Sequence, residues 1–357
     1  MRRPRFLLPA LLALILLVGV TPAWADGGQP GGGLLGLPTS IPLGPLQLPL
    51  LPPIQLPNIQ LPAIPGLTAP GSAAAGPLAP DGLAAYRGLG AWISLYGYGN
   101  PGDPAPDAIV SQMASRGVQT IFVQTARWTS GGDLDFPGAL GALIDDAHAQ
   151  GMKVVGWYLP GFANVTTDIR RSAAVLTYVS PGGGRFDGFA ADIEDHGATG
   201  SLQQFNAGIT AYAQGLRAAV PAGTTLGAIV PDARNDKRAP AHWAGFPWPQ
   251  IGADFDVVEP MAYWTVTKAN ATCQKVSMDV TAYMDDVIAT TESLMGVTRP
   301  MAPMGGISNC VTQPEVTQYV AALQAHGAIG GGLYDFWSLQ ARPDAGTLWS
   351  DLAGLRG

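Results

Sequence analysis

The sequence predicts an α/β fold, a single (β/α)8 TIM barrel over residues 81–357, and three observations favour it. From about residue 83 onward, short apolar runs alternate with helix-length segments, which is typical of repeated βα units. The roughly 275 residues involved match the usual size of such a barrel, about 250 residues. Finally, eight apolar runs predict eight strands, at 90–95, 119–124, 153–158, 188–193, 225–230, 255–261, 299–303 and 331–336.

Helix-like segments separate these predicted strands. Several are followed directly by a glycine, as at Gly117, Gly151 and Gly327, which is a common way to end a helix. A doubly wound open sheet is the alternative, but no Gly-x-Gly-x-x-Gly motif opens a helix after the first strand. We therefore expect the barrel, with helices at 107–116, 137–150, 202–220, 280–294 and 313–326.

Residues 1–25 have the pattern of a secretory signal peptide. A basic start containing Arg2, Arg3 and Arg5 precedes an apolar run at 6–20 and the small-x-small site that ends at Ala25. The apolar run is shorter than the ~20 residues that span a bilayer, so we expect cleavage and no stable membrane span afterwards. The pattern predicts a protein that is secreted or held in the cell envelope.

Residues 26–80 are rich in glycine, leucine and proline, and Leu-Pro or Ile-Pro pairs recur along them. Frequent proline prevents both helices and sheet ladders, so we predict a disordered, extended linker. A stalk that crosses the envelope and an apolar adhesive tail are the alternative functions for this segment.

The charge balance argues against nucleic acid and anionic lipid as partners. Without the three arginines of the signal peptide, 19 basic residues become 16 against 26 acidic ones, a net charge near −10. Both excluded partners require clustered lysine and arginine. The composition instead suits a neutral ligand such as a glycan. No cofactor is indicated, and His148, His196, His242 and His326 lack the spacing of metal ligands.

The chain has two cysteines, Cys273 and Cys310. In an exported chain a disulfide between them is the default expectation. A catalytic thiol is the alternative, but no histidine lies near either cysteine in the sequence.

The predicted fourth strand ends in a group of carboxylates at 192–195. Ala190, Asp192 and Glu194 lie two residues apart, so their side chains point to the same face. Carboxylates on an otherwise apolar, buried strand destabilise the fold unless they have a partner or a shifted pKa. We therefore predict a catalytic site here.

Other polar and aromatic residues follow the predicted strands. Active sites of (β/α)8 barrels lie at the carboxyl ends of the strands, and aromatic planes suit the C–H faces of sugars. The candidate substrate-binding residues are Arg127, Trp128, Tyr158, Asp232, Glu259, Trp264, Asp335 and Trp337.

The sequence at 187–194 resembles the Asp-Gly-x-Asp-x-Asp-x-Glu motif of glycoside hydrolase family 18, the chitinase-like enzymes. It retains the Asp-Gly pair, Asp192 and Glu194, and has Ala190 in place of one acid. The sequence at 261–264 is similar to the family's Met-x-Tyr-Asp, with Tyr263 kept and Trp264 in place of the acid. The Gly-Gly segment at 331–332 resembles the one that precedes the aromatic floor of the family's pocket.

The resemblance implies a glycosidase that acts on a polysaccharide or a cell-wall glycan. Glu194 would protonate the leaving oxygen, while the N-acetyl group of the substrate attacks the anomeric carbon. Asp192 would orient that group and Tyr263 would hydrogen-bond it. Two alternatives stay open: a two-carboxylate hydrolysis by Glu194 and Glu259, and a non-catalytic, lectin-like barrel that binds glycans.

Overall fold

A computed structural model describes residues 82–267 and 272–356 of the chain. The predicted signal peptide and linker lie outside these residues. Among the described helices, none is both long and apolar enough to cross a membrane.

The fold is a (β/α)8 barrel, as predicted. Eight parallel strands form one sheet in the order β6-β5-β4-β3-β2-β1-β10-β9, and β7 pairs with β8 in an antiparallel hairpin. Parallel bridges from Val258 to Met301 and from Met261 to Met304 join the two edges, which excludes the open sheet. The strands are β1 (Gly88–Ile93), β2 (Thr120–Arg127), β3 (Lys153–Leu159), β4 (Gly188–Asp192), β5 (Leu226–Val230), β6 (Val257–Pro260), β7 (Thr265–Thr267), β8 (Cys273–Lys275), β9 (Met304–Ile307) and β10 (Gly330–Tyr334).

Local signals fix the ends of the helices. Proline occupies the first turn of α1, α2 and α9, Asn164 caps α3 through the Thr167 N–H, and Gly296 ends α8 with a φ of 70°. The five predicted helices are confirmed to within two residues. The helices are α1 (Pro106–Ser115), α2 (Pro137–Ala149), α3 (Val165–Thr177), α4 (Leu202–Ala219), α5 (Asn235–Arg238), α6 (Pro240–Trp243), α7 (Trp248–Asp254), α8 (Val280–Met295), α9 (Gln313–Ala325), α10 (Phe336–Gln340) and α11 (Ala345–Leu352).

One predicted strand is misplaced. The run at 299–303 was expected to be the seventh barrel strand, but that strand is β9, which begins at Met304. Pro300 and Pro303 lack the N–H that a ladder needs, so only Met301 in the run makes a bridge, to Val258. The other seven predicted strands are confirmed to within a few residues.

The interior of the barrel is packed with side chains. Trp92 and Phe122 stack inside it, with ring centroids 4.3 Å apart and planes 7° apart. Tyr86, from the 3-10 turn Gly82–Tyr86, belongs to the same core, and its hydroxyl donates to the Phe189 carbonyl at 2.6 Å. Because the interior is filled, a ligand can reach the barrel only at the strand ends.

The predicted disulfide is confirmed. Cys273 on β8 bonds to Cys310 after β9, with an S–S distance of 2.05 Å and a Cα–Cα distance of 5.4 Å. The Lys275 ammonium, two residues on, lies 2.7 Å from Glu315 Oε1 at the start of α9. The β7–β8 hairpin, which follows β6 at the carboxyl end of the barrel, is therefore attached covalently and by charge to the neighbouring βα unit.

Candidate active site

Asp192 is the last residue of β4 and points into the barrel. It lies two residues after Ala190, which belongs to the barrel core, so both side chains face inward. Asp192 is 5% exposed, and its Oδ1 has no hydrogen-bond partner within the described protein. Burial first, then the charges of Glu194, Asp195 and Glu259, raise its pKa well above the usual range.

Glu194 lies in the turn that follows β4, two residues after Asp192, and its side chain is exposed to solvent. Its carboxyl group nevertheless lies among the packed strand ends. Desolvation there, and secondly the charge of Asp195, raise its pKa to about 7. Water at the exposed side chain opposes the desolvation and limits this rise. Glu194 is thus an accessible carboxyl group whose pKa is raised toward neutrality, as a general acid requires.

Tyr263, three residues after β6, lies beside these acids. Desolvation and then the charge of Glu194 are the largest causes that raise its pKa, and Asp192 contributes as well. Its ring centroid is 6.2 Å from that of Tyr334 on β10, and its hydroxyl donates to Met304 Sδ at 3.0 Å. The structure therefore brings Asp192, Glu194 and Tyr263 together.

Two predicted residues after β10 lie at the same end of the barrel. Asp335 accepts the Ser338 N–H at 2.7 Å and so caps α10, and burial raises its pKa. Its charge acts on both Tyr263 and Tyr334. Trp337 is half-buried, and its Nε1 donates to the Gly97 carbonyl at 3.0 Å.

Two predicted residues at the end of β2 form another part of the rim. Arg127 Nη1 donates to the Tyr96 hydroxyl at 2.8 Å, and the guanidinium lies 5.6 Å from the centre of that ring. Trp128 Nε1 donates to Asp195 Oδ2 at 2.9 Å. The sequence assigned no role to Tyr96, which is 56% exposed, or to Asp195, which lies within the predicted carboxylate group at 192–195. Their positions at the ends of predicted strands were the sequence feature that could have identified them as site residues.

Tyr158 and Trp264 are corrections to the predicted sugar-binding set, because both point away from the mouth. The Tyr158 hydroxyl donates to Asp168 in α3 at 2.5 Å, outside the sheet. Trp264 is 1% exposed, and its ring packs against Gly305 and Gly306 of β9. Tyr158 lies on β3 next to the inward-facing Trp157, and side chains alternate along a strand, so Tyr158 faces the helices. Trp264 lies between β6 and β7, and its ring packs against Tyr319 of α9.

Asp232 is the third correction. It accepts a hydrogen bond at 2.8 Å from Arg234 Nε and one at 2.9 Å from the Tyr283 hydroxyl of α8. The Arg234 guanidinium itself stacks 3.8 Å from the centre of the Tyr283 ring. With its oxygens committed to this buried cluster, Asp232 supports the loop after β5 and does not face a ligand.

Glu259 is the fourth correction, because it lies below the mouth with 0% exposure. Its Oε1 is 2.9 Å from the position that a Cβ on Gly227 would take, in the space beside Ala190. Neither carboxyl oxygen has a hydrogen-bond partner within the described residues, and burial raises the pKa to about 8. Glu259 cannot contact a substrate at the mouth, which removes the two-carboxylate mechanism with Glu194.

The first acid of the family-like motif is structural in this chain. Asp187 lies at the amino end of β4, where its Oδ2 meets His148 Nε2 at 2.8 Å and its Oδ1 meets Lys153 Nζ at 3.0 Å. It also accepts the Val154 N–H at 2.9 Å. Over 82–267 and 272–356, no three His, Cys, Asp or Glu residues form a group that could hold a metal.

No protein-family model and no curated protein matches the chain. Solved structures do match it. A family GH18 chitinase from Cycas revoluta is 12% identical, with 75% of this chain and 98% of that chain covered and a TM-score of 0.53. An endo-1,4-beta-mannanase from Rhizomucor miehei is 10% identical, with coverages of 75% and 94% and a TM-score of 0.54. The Bacillus cereus spore cortex-lytic enzyme SleL is 9% identical, with coverages of 76% and 75% and a TM-score of 0.55.

At these identities the matches show the fold. The chain is a (β/α)8 barrel, and solved structures of a chitinase and a mannanase are similar to it in fold.

Proposed function

We propose that this chain is an exported glycoside hydrolase that cleaves a polysaccharide or cell-wall glycan, with Glu194 as its general acid. One observation carries the proposal: an accessible glutamic acid with a raised pKa lies beside Asp192 and Tyr263 at the carboxyl end of the barrel. Few structural roles require an ionisable group at that place, whereas a general acid requires both access and a proton.

The chemistry begins at the glycosidic bond. Glu194 gives its proton to the leaving oxygen as the bond from that oxygen to the anomeric carbon breaks. The carbonyl oxygen of the substrate's own 2-acetamido group forms the new bond to the anomeric carbon. Water then opens the resulting ring, after losing a proton to the Glu194 carboxylate, so the enzyme is regenerated.

Asp192 and Tyr263 would act on the acetamido group. Among residues 82–267 and 272–356, one carboxyl oxygen of Asp192 lacks a hydrogen-bond partner, and the Tyr263 hydroxyl donates to the weak acceptor Met304 Sδ. Both are free to bond the acetamide and hold it for attack. Arg127, Trp128, Asp335 and Trp337 would bind the sugar rings on either side.

The substrate class and the location are part of the proposal. The resemblance of residues 187–194 to the chitinase-like motif favours glycans that carry N-acetyl groups, and the solved structures that share this fold include a chitinase and a mannanase. Export is supported by the signal-like sequence at 1–25 and by the disulfide, a bond of oxidising compartments.

The test is the release of reducing ends from chitin oligomers, mannan and purified peptidoglycan by the wild type and by Glu194→Gln. Glu292→Gln, on the outer helix α8, is the matched control for the same chemical change. We expect turnover on an N-acetylated glycan that is lost in Glu194→Gln and retained in Glu292→Gln. Full turnover by Glu194→Gln would overturn the role of Glu194.

A lectin-like barrel is the second candidate, and a specific observation favours it. Compared with the family's motifs, this chain lacks two acids, at positions 190 and 264. Ala190 has no carboxyl group, and Trp264 is buried away from the mouth, so neither residue can take over the function of the missing acid. Binding of a glycan by both the wild type and Glu194→Gln, without turnover by either, would establish this alternative.

A further inference from the structure

A hydrogen bond joins the loops that follow β2 and β4 at the rim of the barrel. Trp128, which follows β2, donates its indole N–H to Asp195 Oδ2 at 2.9 Å. Asp195 is the residue directly after Glu194, and its other oxygen accepts the Gly197 N–H at 2.7 Å. The side chain next to the proposed acid is therefore fixed at both oxygens, once by backbone and once by an aromatic ring.

The Trp128 ring is held from other directions as well. A Cβ built on Gly161 would lie 2.7 Å from Trp128 Cγ and 2.9 Å from Ala198 Cβ, so the ring fits closely between the loops after β3 and β4. Beneath it, the buried Arg171 donates from Nη1 to the carbonyls of Arg127 at 2.9 Å and Trp128 at 2.8 Å. The backbone of the Trp128 loop is thus clamped, and the position of the ring is set by its bond to Asp195.

The charge of Asp195 acts on its neighbours. After desolvation, the charge of Asp195 raises the pKa of Glu194. The other ionisable groups that interact with Glu194 are Asp192 on β4, Tyr263 after β6 and Tyr334 on β10. Apart from these, Asp195 interacts with His196, which lies beside His242 from α6.

We propose that Asp195 is a positioning residue with two separable actions: its carboxylate holds the Trp128 ring as a sugar-stacking surface and places a negative charge beside Glu194. The inference rests on the proposed function and adds to it the residue that couples glycan binding to acid catalysis. Trp128 alone would supply stacking, and Asp195 alone would supply charge. Their hydrogen bond places both within one subsite, next to the bond that is cleaved.

Three variants separate the two actions. Trp128→Ala removes the stacking surface and leaves the charge, so KM should rise about tenfold while the alkaline limb of the kcat/KM profile stays in place. Asp195→Asn removes the charge and keeps one acceptor oxygen for the indole. Its alkaline limb should fall by about half a pH unit, because loss of a neighbouring negative charge in a partly solvated site favours ionisation of Glu194. Asp195→Ala should show both changes.

The charge can also be followed without turnover. In protein with 13C-labelled glutamate carboxyls, the Glu194 signal, assigned with Glu194→Gln, should titrate at lower pH in Asp195→Asn than in the wild type. Asp187→Asn is the control, because it removes a carboxylate at the opposite end of β4, about 23 Å away along the strand and beyond the Debye length. This measurement remains decisive for the charge if the protein proves to be a lectin.

Opposite results would overturn the inference. A Glu194 titration that is the same in Asp195→Asn and wild type would remove the charge action. Glycan binding that is unchanged in both Trp128→Ala and Asp195→Ala would remove the stacking action. If the wild type cleaves none of the glycans, so that Glu194→Gln has no activity to lose, the proposed function is wrong. If Asp195→Asn still shifts the titration of Glu194 in that case, the action of Asp195 on Glu194 stands.

Discussion

Asp192 and Glu259 flank Ile229 of β5, because each pairs with it in register, from opposite sides. Both side chains face the interior, both contain a carboxyl oxygen without a partner in the described protein, and burial raises the pKa of both. A barrel interior that contains two such groups favours their neutral forms.

Glu259→Gln should stabilise the protein at alkaline pH. The folded state raises the pKa of Glu259 from 4.5 to about 8, so between these values the folded chain binds more protons than the unfolded chain. Stability therefore falls as pH rises through this window, and the amide variant avoids the loss. Urea unfolding at pH 5 and pH 8.5 should show a gain for Glu259→Gln of the order of 4 kcal/mol at the higher pH only. Equal stabilities at pH 8.5 would show that Glu259 ionises without cost.

Activity should decline as pH rises through about 7. Glu194 acts as an acid only while protonated, and its pKa is raised to about 7. The profile of kcat/KM should therefore have an alkaline limb near that pH. A plateau that extends to pH 9 would mean that another group donates the proton.

Tyr263→Phe should slow catalysis without unfolding the barrel. The ring and its contact with Tyr334 remain, and the lost hydroxyl bonds only to Met304 Sδ. We expect kcat to fall about tenfold or more with little change in melting temperature, since the hydroxyl is proposed to bond the reacting acetamide. An unchanged kcat would leave Tyr263 with a packing role alone.

Trp264 and Trp337 should respond differently to the same change. Trp264→Phe should lower stability by about 1 to 3 kcal/mol and leave KM unchanged, because the ring is buried among Gly305, Gly306 and Tyr319. Trp337→Phe should raise KM, because it removes the indole bond to the Gly97 carbonyl at the rim. A larger rise in KM for Trp264→Phe would mean that its ring reaches the ligand.

Removal of the disulfide should weaken the fold. The bond between Cys273 and Cys310 closes a loop of 37 residues, which corresponds to about 4 kcal/mol in the chain-entropy model. Cys273→Ser, Cys310→Ser and the double variant should unfold at similarly lowered urea concentrations. A loss in only one single variant would point to packing instead of the crosslink.

The sequence predicted the barrel and the acids of β4 because their signals are local. Strand alternation placed Asp192 on the face of Ala190, and Glu194 follows in the turn directly after the strand. The same rule did not assign Tyr158 and Trp264, since a run of apolar residues at a strand end does not show which of two neighbours faces inward.

Other features depend on contacts between distant parts of the chain. The register of β2 shifts between Gln124 and Ala126, which sets the directions of Arg127 and Trp128 beyond it. The hydrogen bond from Trp128 to Asp195 joins residues 67 positions apart, and no local sequence pattern predicts it. The burial of Glu259 depends on the small residues Ala190 and Gly227 on neighbouring strands.

The most direct test of the central claim compares Glu194→Gln with the wild type on two N-acetylated glycosides that differ only in their leaving group. General acid catalysis contributes about 10² to 10⁴ in rate when the leaving group needs a proton, and little when it leaves as a stable anion. We predict a loss of that size on the alkyl glycoside and near-wild-type bond cleavage on the dinitrophenyl glycoside. Equal losses on both substrates, or no loss on either, would contradict the assignment of Glu194 as the acid.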